Sequence, residues 1–363
     1  MSDARGAPDR APLVLLAEPA VAVTGPYTAL AAEGRRLLGD ELARRLTRAG
    51  ARVVPVAAAP EEGFRWGRWF ANAARPLLAE GDVDMLGYAT AGSLALVDDE
   101  FLRALLSPDD VVVVANNRFS ADAFVVRGDV ARAVSVLEEV ASDNAAVRCL
   151  ADAGFAATDL SDRPFASADA DTPQDLELLR LGGATTASRS IAELPRVGDL
   201  GRVVRDRNAE IVVAGRVSTS TARYVESETA CRVRLFIEER GMRAGPGAPR
   251  SLLAAWLDRH GATALIEQLG SLGDAVVLDT RVLMATIGRS SDAAAWPPAE
   301  ERFASDFLDA SVIETPWLRD LTEAASASQI PVLVGAHLLV NDGLRILVQR
   351  AWEAADLSES APR

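Results

Sequence analysis

Asp110-Val111-Val112-Val113-Val114-Ala115 is the stretch on which the fold turns. Four consecutive valines are β-branched and apolar, so they suit a pleated strand and offer water no polar face. Such a strand belongs at the centre of a parallel sheet covered by helices on both sides. Working outward, residues 13–16, 52–56 and 84–88 are apolar runs of the same kind, and another short strand is expected near 155–157. Helical patterns lie between them. Over 28–49, Leu30, Leu38, Leu42 and Leu46 share one side, while Arg35, Arg36, Arg44, Arg45 and Arg48 occupy the other. Thr28 is the expected N-cap and Gly50 the left-handed stop. Helices are also expected over 68–79, 98–106, 129–140 and 144–153. Strands alternating with helices imply an α/β unit with a mostly parallel sheet and right-handed crossovers.

The alternation resumes less regularly further on. Residues 210–214, 232–237, 275–278 and 331–334 read as strands, and 251–260, 263–269, 299–308, 317–326 and 341–355 as helices. The segment 182–190 is rich in Gly, Ala, Thr and Ser. The expected organisation is therefore a disordered start over 1–11, a Rossmann-like domain over 12–182, a linker over 183–190, a helix-rich α/β domain over 191–355, and a polar tail over 356–363.

Composition narrows the chemistry. The 363 residues include 38 basic and 52 acidic side chains, for a net charge of −14, and every basic residue is arginine. Without lysine there is no Schiff-base, pyridoxal-phosphate or Walker-type lysine mechanism. The acidic balance argues against nucleic-acid and anionic-membrane partners. A hydrophobic share of 49% predicts a packed core. Cys149 and Cys231 are too few for a disulfide framework or a Cys-rich zinc site and read as reduced thiols. The apolar run 13–23 lacks a positive flank and is broken by Glu18 and Pro19, so no cleaved leader is expected. No uninterrupted apolar stretch is long enough to span a membrane. Together these features lead to an expected cytoplasmic location.

The motif richest in chemistry is Asp169-Ala170-Asp171-Thr172-Pro173-Gln174-Asp175-Leu176. Asp169 and Asp171 alternate along an extended segment, so their carboxylates point the same way. Thr172 can cap the following helix, with Pro173 in its first turn. Two convergent carboxylates with nucleotide phosphates could hold magnesium; the other reading is a helix-capping turn with solvated aspartates. Asn116 and Asn117 follow the valine strand, where ligands bind in open α/β sheets, and they read either as ligand contacts or as turn formers.

On these residues, 12–182 resembles the nucleotidyltransferase superfamily with the GT-A type of Rossmann-like fold, which includes molybdenum-cofactor guanylyltransferases and phospholactate guanylyltransferases. The resemblance implies a mostly parallel sheet with helices on both faces. It also implies magnesium on Asp169 and Asp171, a nucleoside triphosphate as substrate, and transfer of its nucleotidyl group to a small phosphorylated or carboxylate acceptor. The chain departs from the pattern twice. The loop over 17–27 has one glycine and no basic residue, where the family has a glycine-rich, basic phosphate grip. Gly87-Tyr88-Ala89-Thr90-Ala91-Gly92-Ser93 lacks the family's metal-binding aspartate.

The second half offers a separate set of polar residues at strand ends. Arg216, Ser218 and Thr219 follow the 210–214 strand and form a candidate anion site. Asp279 and Arg281 follow the 275–278 strand, and His337 follows 331–334. These three are the candidate catalytic residues, with Glu226, Glu228, Arg240 and Arg243 as further charges. His260, at a helix end before Gly261, reads as structural. Trp66 and Trp69 read as packing rather than as a base-stacking platform. Three functions stand: magnesium-dependent nucleotidyl transfer; chemistry in the second half on a phosphorylated or sugar-like ligand over a degenerate first domain; or a non-catalytic nucleotide- or metabolite-binding module. The partner expected is a small molecule, with homo-oligomer formation an open alternative.

Overall fold

The computed structural model describes residues 11–19, 22–58, 64–81, 83–107, 112–184, 193–239 and 248–359. It divides into two compact units, Met1–Val21 with Arg35–Asp169, and Ala22–Gly34 with Ala170–Arg363. The expected linker falls mostly outside the described residues, as do residues 1–10 of the expected disordered start. The division instead lies between Asp169 and Ala170, inside the aspartate-rich motif.

The first unit is α/β. Its strands are β1 (Leu13–Pro19), β2 (Arg52–Ala58), β3 (Met85–Thr90), β4 (Val113–Ala115), β5 (Ala123–Arg127) and β6 (Ala157–Asp159). Its helices are α1 (Pro26–Arg48), which begins in the second unit, α2 (Trp66–Glu80), α3 (Asp99–Leu106), α4 (Val130–Leu137) and α5 (Ala146–Asp152). The sheet runs β2-β1-β3-β5-β4-β6. It is mostly parallel, but β5, which the sequence reading missed, is antiparallel to both β3 and β4. The apolar runs reflect burial on two sides. Leu13 and Leu15 join a core with Trp66, Phe70, Tyr88 and Phe124, while Val14 and Leu16 join another with Leu42, Leu46 and Phe101. Full burial of each such side chain contributes roughly 1.5–3 kcal/mol. Trp66 is thus a core residue, as its helical spacing implied.

The second unit contains α6 (Pro173–Leu181), α7 (Val197–Arg205), β7 (Glu210–Gly215), α8 (Thr219–Glu228), β8 (Arg232–Ile237), α9 (Leu252–His260), α10 (Ala262–Gly270), β9 (Ala275–Asp279), α11 (Arg281–Ile287), α12 (Ala299–Asp306), α13 (Pro316–Ala327), β10 (Val332–Gly335) and α14 (Asp342–Glu359). The sheet order is β10-β9-β7-β8, and all its pairings are parallel. All its carboxyl ends therefore lie along one edge. Val212, Val276 and Val332 pack into a core with residues of α9, α10 and α13, while α14 packs with α6, α7 and α8. Helix α14 continues to Glu359, into the expected tail. No helix among the described residues is long and apolar enough to cross a membrane.

Thr28 is not the N-cap of α1, because the helix starts two residues earlier at Pro26, whose fixed φ suits a first position. Its hydroxyl accepts instead from the backbone N–H groups of Thr24 (2.9 Å) and Gly25 (3.0 Å). The carboxylate of Glu300, on α12, completes the helix start. It accepts from Tyr27 N at 2.9 Å and Thr28 N at 2.8 Å, and its Oε2 lies 2.8 Å from Thr28 Oγ1. A negative charge on the first-turn N–H groups of a helix satisfies open donors and complements the dipole. Glu300→Ala should therefore destabilise the protein by about 1–3 kcal/mol in chemical denaturation, more than the same change at exposed Glu323. Equal stability of the two variants would refute this account of α1.

Candidate active site at the carboxyl ends of the second sheet

Helix α6 opens with a complete capping box. Thr172 Oγ1 accepts from Asp175 N at 3.1 Å, and Asp175 Oδ2 accepts from Thr172 N at 2.9 Å, with Pro173 in the first turn. Asp175 does more than cap. Its Oδ2 also accepts from Asp171 N at 3.1 Å, and its Oδ1 accepts from Leu338 N at 3.1 Å. One buried carboxylate thus joins the aspartate-rich segment to the loop after β10. Burial raises the Asp175 pKa to about 6, with nearby Asp171 adding to the rise, while His337 and the backbone N–H groups oppose it.

The loop so anchored carries His337. Its Nδ1 lies 2.9 Å from Asp171 Oδ2. Neither side chain is sealed off: His337 is 29% exposed and Asp171 36%. The contact assigns the Nδ1 proton toward Asp171 and leaves the lone pair on Nε2. Nε2 makes no hydrogen bond among the described residues. His337 adopts φ +45°, a left-handed conformation uncommon for a residue with a β-carbon. It is held there by Leu338 N on Asp175 and by Asn341 Nδ2, which donates to His337 O at 2.8 Å.

Asp279 and Arg281, expected as catalytic, are closed on each other. Asp279 Oδ1 accepts from Arg281 N (3.0 Å) and Nε (2.9 Å); its Oδ2 accepts from Arg281 Nη2 (2.8 Å) and Arg216 N (3.0 Å). These four bonds fill the acceptor positions of a carboxylate. Burial alone would raise the Asp279 pKa, but the charge and bonds of Arg281 outweigh it and hold the group below its ordinary value. The same pairing offsets desolvation of Arg281 and raises its pKa. The pair ties the ends of β7 and β9 together. Gly215 permits this: at φ +118° it passes so close to Asp279 that an added β-carbon would lie 2.3 Å from Asp279 Cβ.

The remaining candidates separate. Ser218 caps α8, accepting from Thr221 N at 3.0 Å, and its own N–H meets Asn341 Oδ1 at 3.2 Å. Thr219 is the exposed first residue of α8. Glu226 and Glu228 lie toward the other end of α8, about 10 and 14 Å along its axis from Thr219, away from this edge of the sheet. Arg240 and Arg243 are outside the described residues. The His260 ring packs at a tilt of 40° against Trp256, one turn earlier on α9, with centroids 4.5 Å apart. In the first unit, Asn116 is buried. Its Oδ1 accepts from Asp122 N and Ala123 N, and its Nδ2 donates to Ala166 O at 2.9 Å. Asn117 Oδ1 accepts from Phe119 N and Ser120 N. Both asparagines build the turn that leads into β5. Asp169 belongs to the first unit and accepts from Thr90 Oγ1 at 3.4 Å, whereas Asp171 belongs to the second. Among the described residues, no group of three or more His, Cys, Asp or Glu side chains is arranged to hold a metal ion.

Two residues of the site were not singled out in the sequence. Asp306, the last residue of α12, is buried with its pKa pushed well above the carboxylate range, first by burial and then by Asp175. Arg302, one turn earlier on α12, has its pKa lowered by burial, against opposing pulls from Asp306 and Asp171. Gln174 ties α6 to this region, its Nε2 donating to Asp306 O (3.1 Å) and Val334 O (2.9 Å).

No protein-family model matches this chain, and no curated protein matches it. Among solved structures, a protein from Desulfovibrio desulfuricans G20 that carries the name of a nucleotide-diphospho-sugar transferase is similar at 15% identity and a TM-score of 0.37, over 49% of this chain and 90% of its own. A shikimate 5-dehydrogenase-like protein is similar at 13% identity and a TM-score of 0.25, over 98% of this chain and 99% of its own. Scores this low carry no argument about the site.

Asp175 provides a pH signature. Its raised native pKa means the native state holds this proton more tightly than the unfolded chain, whose aspartate titrates near 3.9. Its contribution to stability is full below about pH 4, is lost as pH rises through about 6, and is flat above that. The unfolding free energy of wild type minus that of Asp175→Asn should therefore fall by about 2–3 kcal/mol between pH 4 and 7. A difference that stays level or grows across that window would contradict the assignment.

Proposed function

We propose that the protein is an enzyme whose chemistry lies in the second unit, where His337, oriented by Asp171, acts as a general base on a small phosphorylated or sugar-like ligand. The observation that carries this reading is the 2.9 Å contact between His337 Nδ1 and Asp171 Oδ2, just after the carboxyl end of β10. A carboxylate on one imidazole nitrogen fixes the tautomer and stabilises the imidazolium formed when the other takes a proton. Carboxyl ends of parallel strands are where ligands bind open α/β sheets. The proton would come from a water or a ligand hydroxyl, which becomes the nucleophile. Asp175 holds both partners in register, and the Asp279–Arg281 pair keeps the neighbouring strand end rigid.

Release of phosphate or pyrophosphate from a panel of sugar phosphates and nucleoside triphosphates, with and without added acceptors, tests this reading. We expect His337→Gln to lower kcat by about 10²- to 10⁴-fold with little change in KM. Full turnover in that variant would remove His337 from the chemistry. Ligand binding without turnover in wild type would favour the non-catalytic module.

Nucleotidyl transfer with magnesium is the second reading, and the place of Asp169 beside Thr90, at the carboxyl end of β3, favours it. A magnesium ion on Asp171 would have to compete with His337 for Oδ2. Calorimetric titration of nucleoside triphosphates should give the same affinity with and without magnesium if the dyad reading is correct. Binding that needs magnesium and disappears in Asp169→Asn would replace it with nucleotidyl transfer.

A further inference from the structure

Among the described residues Arg302 forms no ion pair. Its Nε donates to Pro297 O at 2.9 Å, which fixes one edge of the guanidinium. The group lies 5.8 Å from the Trp296 ring centroid and 5.6 Å from that of Phe303, so aromatic faces restrict it further. Among the described residues its two terminal nitrogens have no hydrogen-bond acceptor, and no carboxylate lies within the 4.0 Å of an ion pair. This is not for want of acids, since the chain carries 52 acidic against 38 basic residues.

The charged groups facing Arg302 are Asp306 and Asp171. Burial raises the pKa of Asp306 well above its ordinary value, and Asp171 is engaged with His337. The neighbouring Arg281 is spent on Asp279. A partly desolvated guanidinium with a fixed plane and two open N–H edges is costly to keep unpaired and suited to a bidentate oxyanion.

We propose that Arg302 is the anion-binding residue of the His337–Asp171 site and that the anion is a phosphoryl group of the ligand. This rests on the reading that the dyad marks the functional site, and deepens it by naming what recognises the ligand. Arg302 binds and orients the phosphoryl group, while His337 handles the proton.

Inorganic phosphate is the probe, followed by calorimetry and by NMR of the histidine ring signals. The chain has only two histidines, so a His260→Gln variant assigns the signal of His337. With wild type, phosphate should bind and shift the His337 signal, leaving His260 unmoved. Arg302→Gln should weaken phosphate binding by about 10- to 100-fold, and Arg302→Lys should fall between, since it keeps the charge but not the fork. Arg319→Gln, on α13, should bind as wild type. Circular dichroism checks folding, and Arg302→Lys serves alone should Arg302→Gln fail to fold. No phosphate binding by wild type at 10–20 mM (about the limit for a weak single site), or unchanged binding in the Arg302 variants, would overturn the proposal. So would acetate binding in preference to phosphate, which would make the ligand a carboxylate. His337→Gln should still bind phosphate, so the recognition role of Arg302 can stand even where the catalytic role of His337 fails.

Discussion

Everything at the strand ends of the second sheet depends on one buried carboxylate. Asp175 accepts N–H groups from Asp171 and Thr172 on one oxygen and from Leu338 on the other, bridging 163 positions of sequence. Without this clamp, Asp171 and His337 would sit on two loops with only their own contact to align them. Burying a carboxylate is unfavourable, and hydrogen bonds to its charged form offset the cost. Here burial prevails, since the pKa still rises to about 6. The left-handed backbone of His337 is a second local cost at the same place. Two unfavourable features holding one histidine against one aspartate mark an arrangement kept for what it does rather than for stability.

Much of the fold was legible in the sequence. Three strands of the second sheet, β7, β9 and β10, are largely continuous apolar runs because both faces are covered, and that pattern survives without knowledge of their neighbours. Strand β5 was not legible. Its five residues, Ala123–Arg127, show no alternation, and the preceding turn is built from Asn116 and Asn117, whose polar side chains also read as ligand contacts. Helix α7 escaped for another reason. It contains Gly198 and Gly201, which lower helix propensity. An added β-carbon at Gly201 would meet Ala351 of α14 at an ordinary contact distance of 3.4 Å, so packing does not require the glycine.

The site was half legible, and the two halves differ in kind. Position along the chain was enough to gather Asp279, Arg281 and His337 at strand ends. Which of them would be spent on each other was not, because saturation of Asp279 depends on Arg216 N arriving from β7 through the close approach at Gly215. The aspartate-rich motif was assigned to the first half because it follows those strands in sequence. Its last carboxylates instead fold with the second unit, where the partner of Asp171 lies in the far part of the chain. Arg302 could not be seen at all. In Glu300-Glu301-Arg302 it looks like a solvated helical charge, and only the burial of its surroundings gives it another meaning.

The absence of lysine sharpens the electrostatics of both helix starts and strand ends. The loop before α1 lacks the glycines and basic residues of a phosphate grip, and the first-turn N–H groups of α1 are taken by the Glu300 carboxylate, an internal anion. An external phosphate would have to displace it there. At the carboxyl ends of the second sheet the cations are arginines, which keep their proton under conditions where a buried lysine would shed it. An arginine drawn out of water therefore has two stable fates: a carboxylate of its own, as Arg281 has in Asp279, or an anion that arrives from outside. Among the described residues Arg302 has no carboxylate within ion-pair distance, and burial raises the pKa of the neighbouring Asp306. The distribution of paired and unpaired guanidinium groups, rather than the aspartate motif itself, is what the proposed anion site rests on.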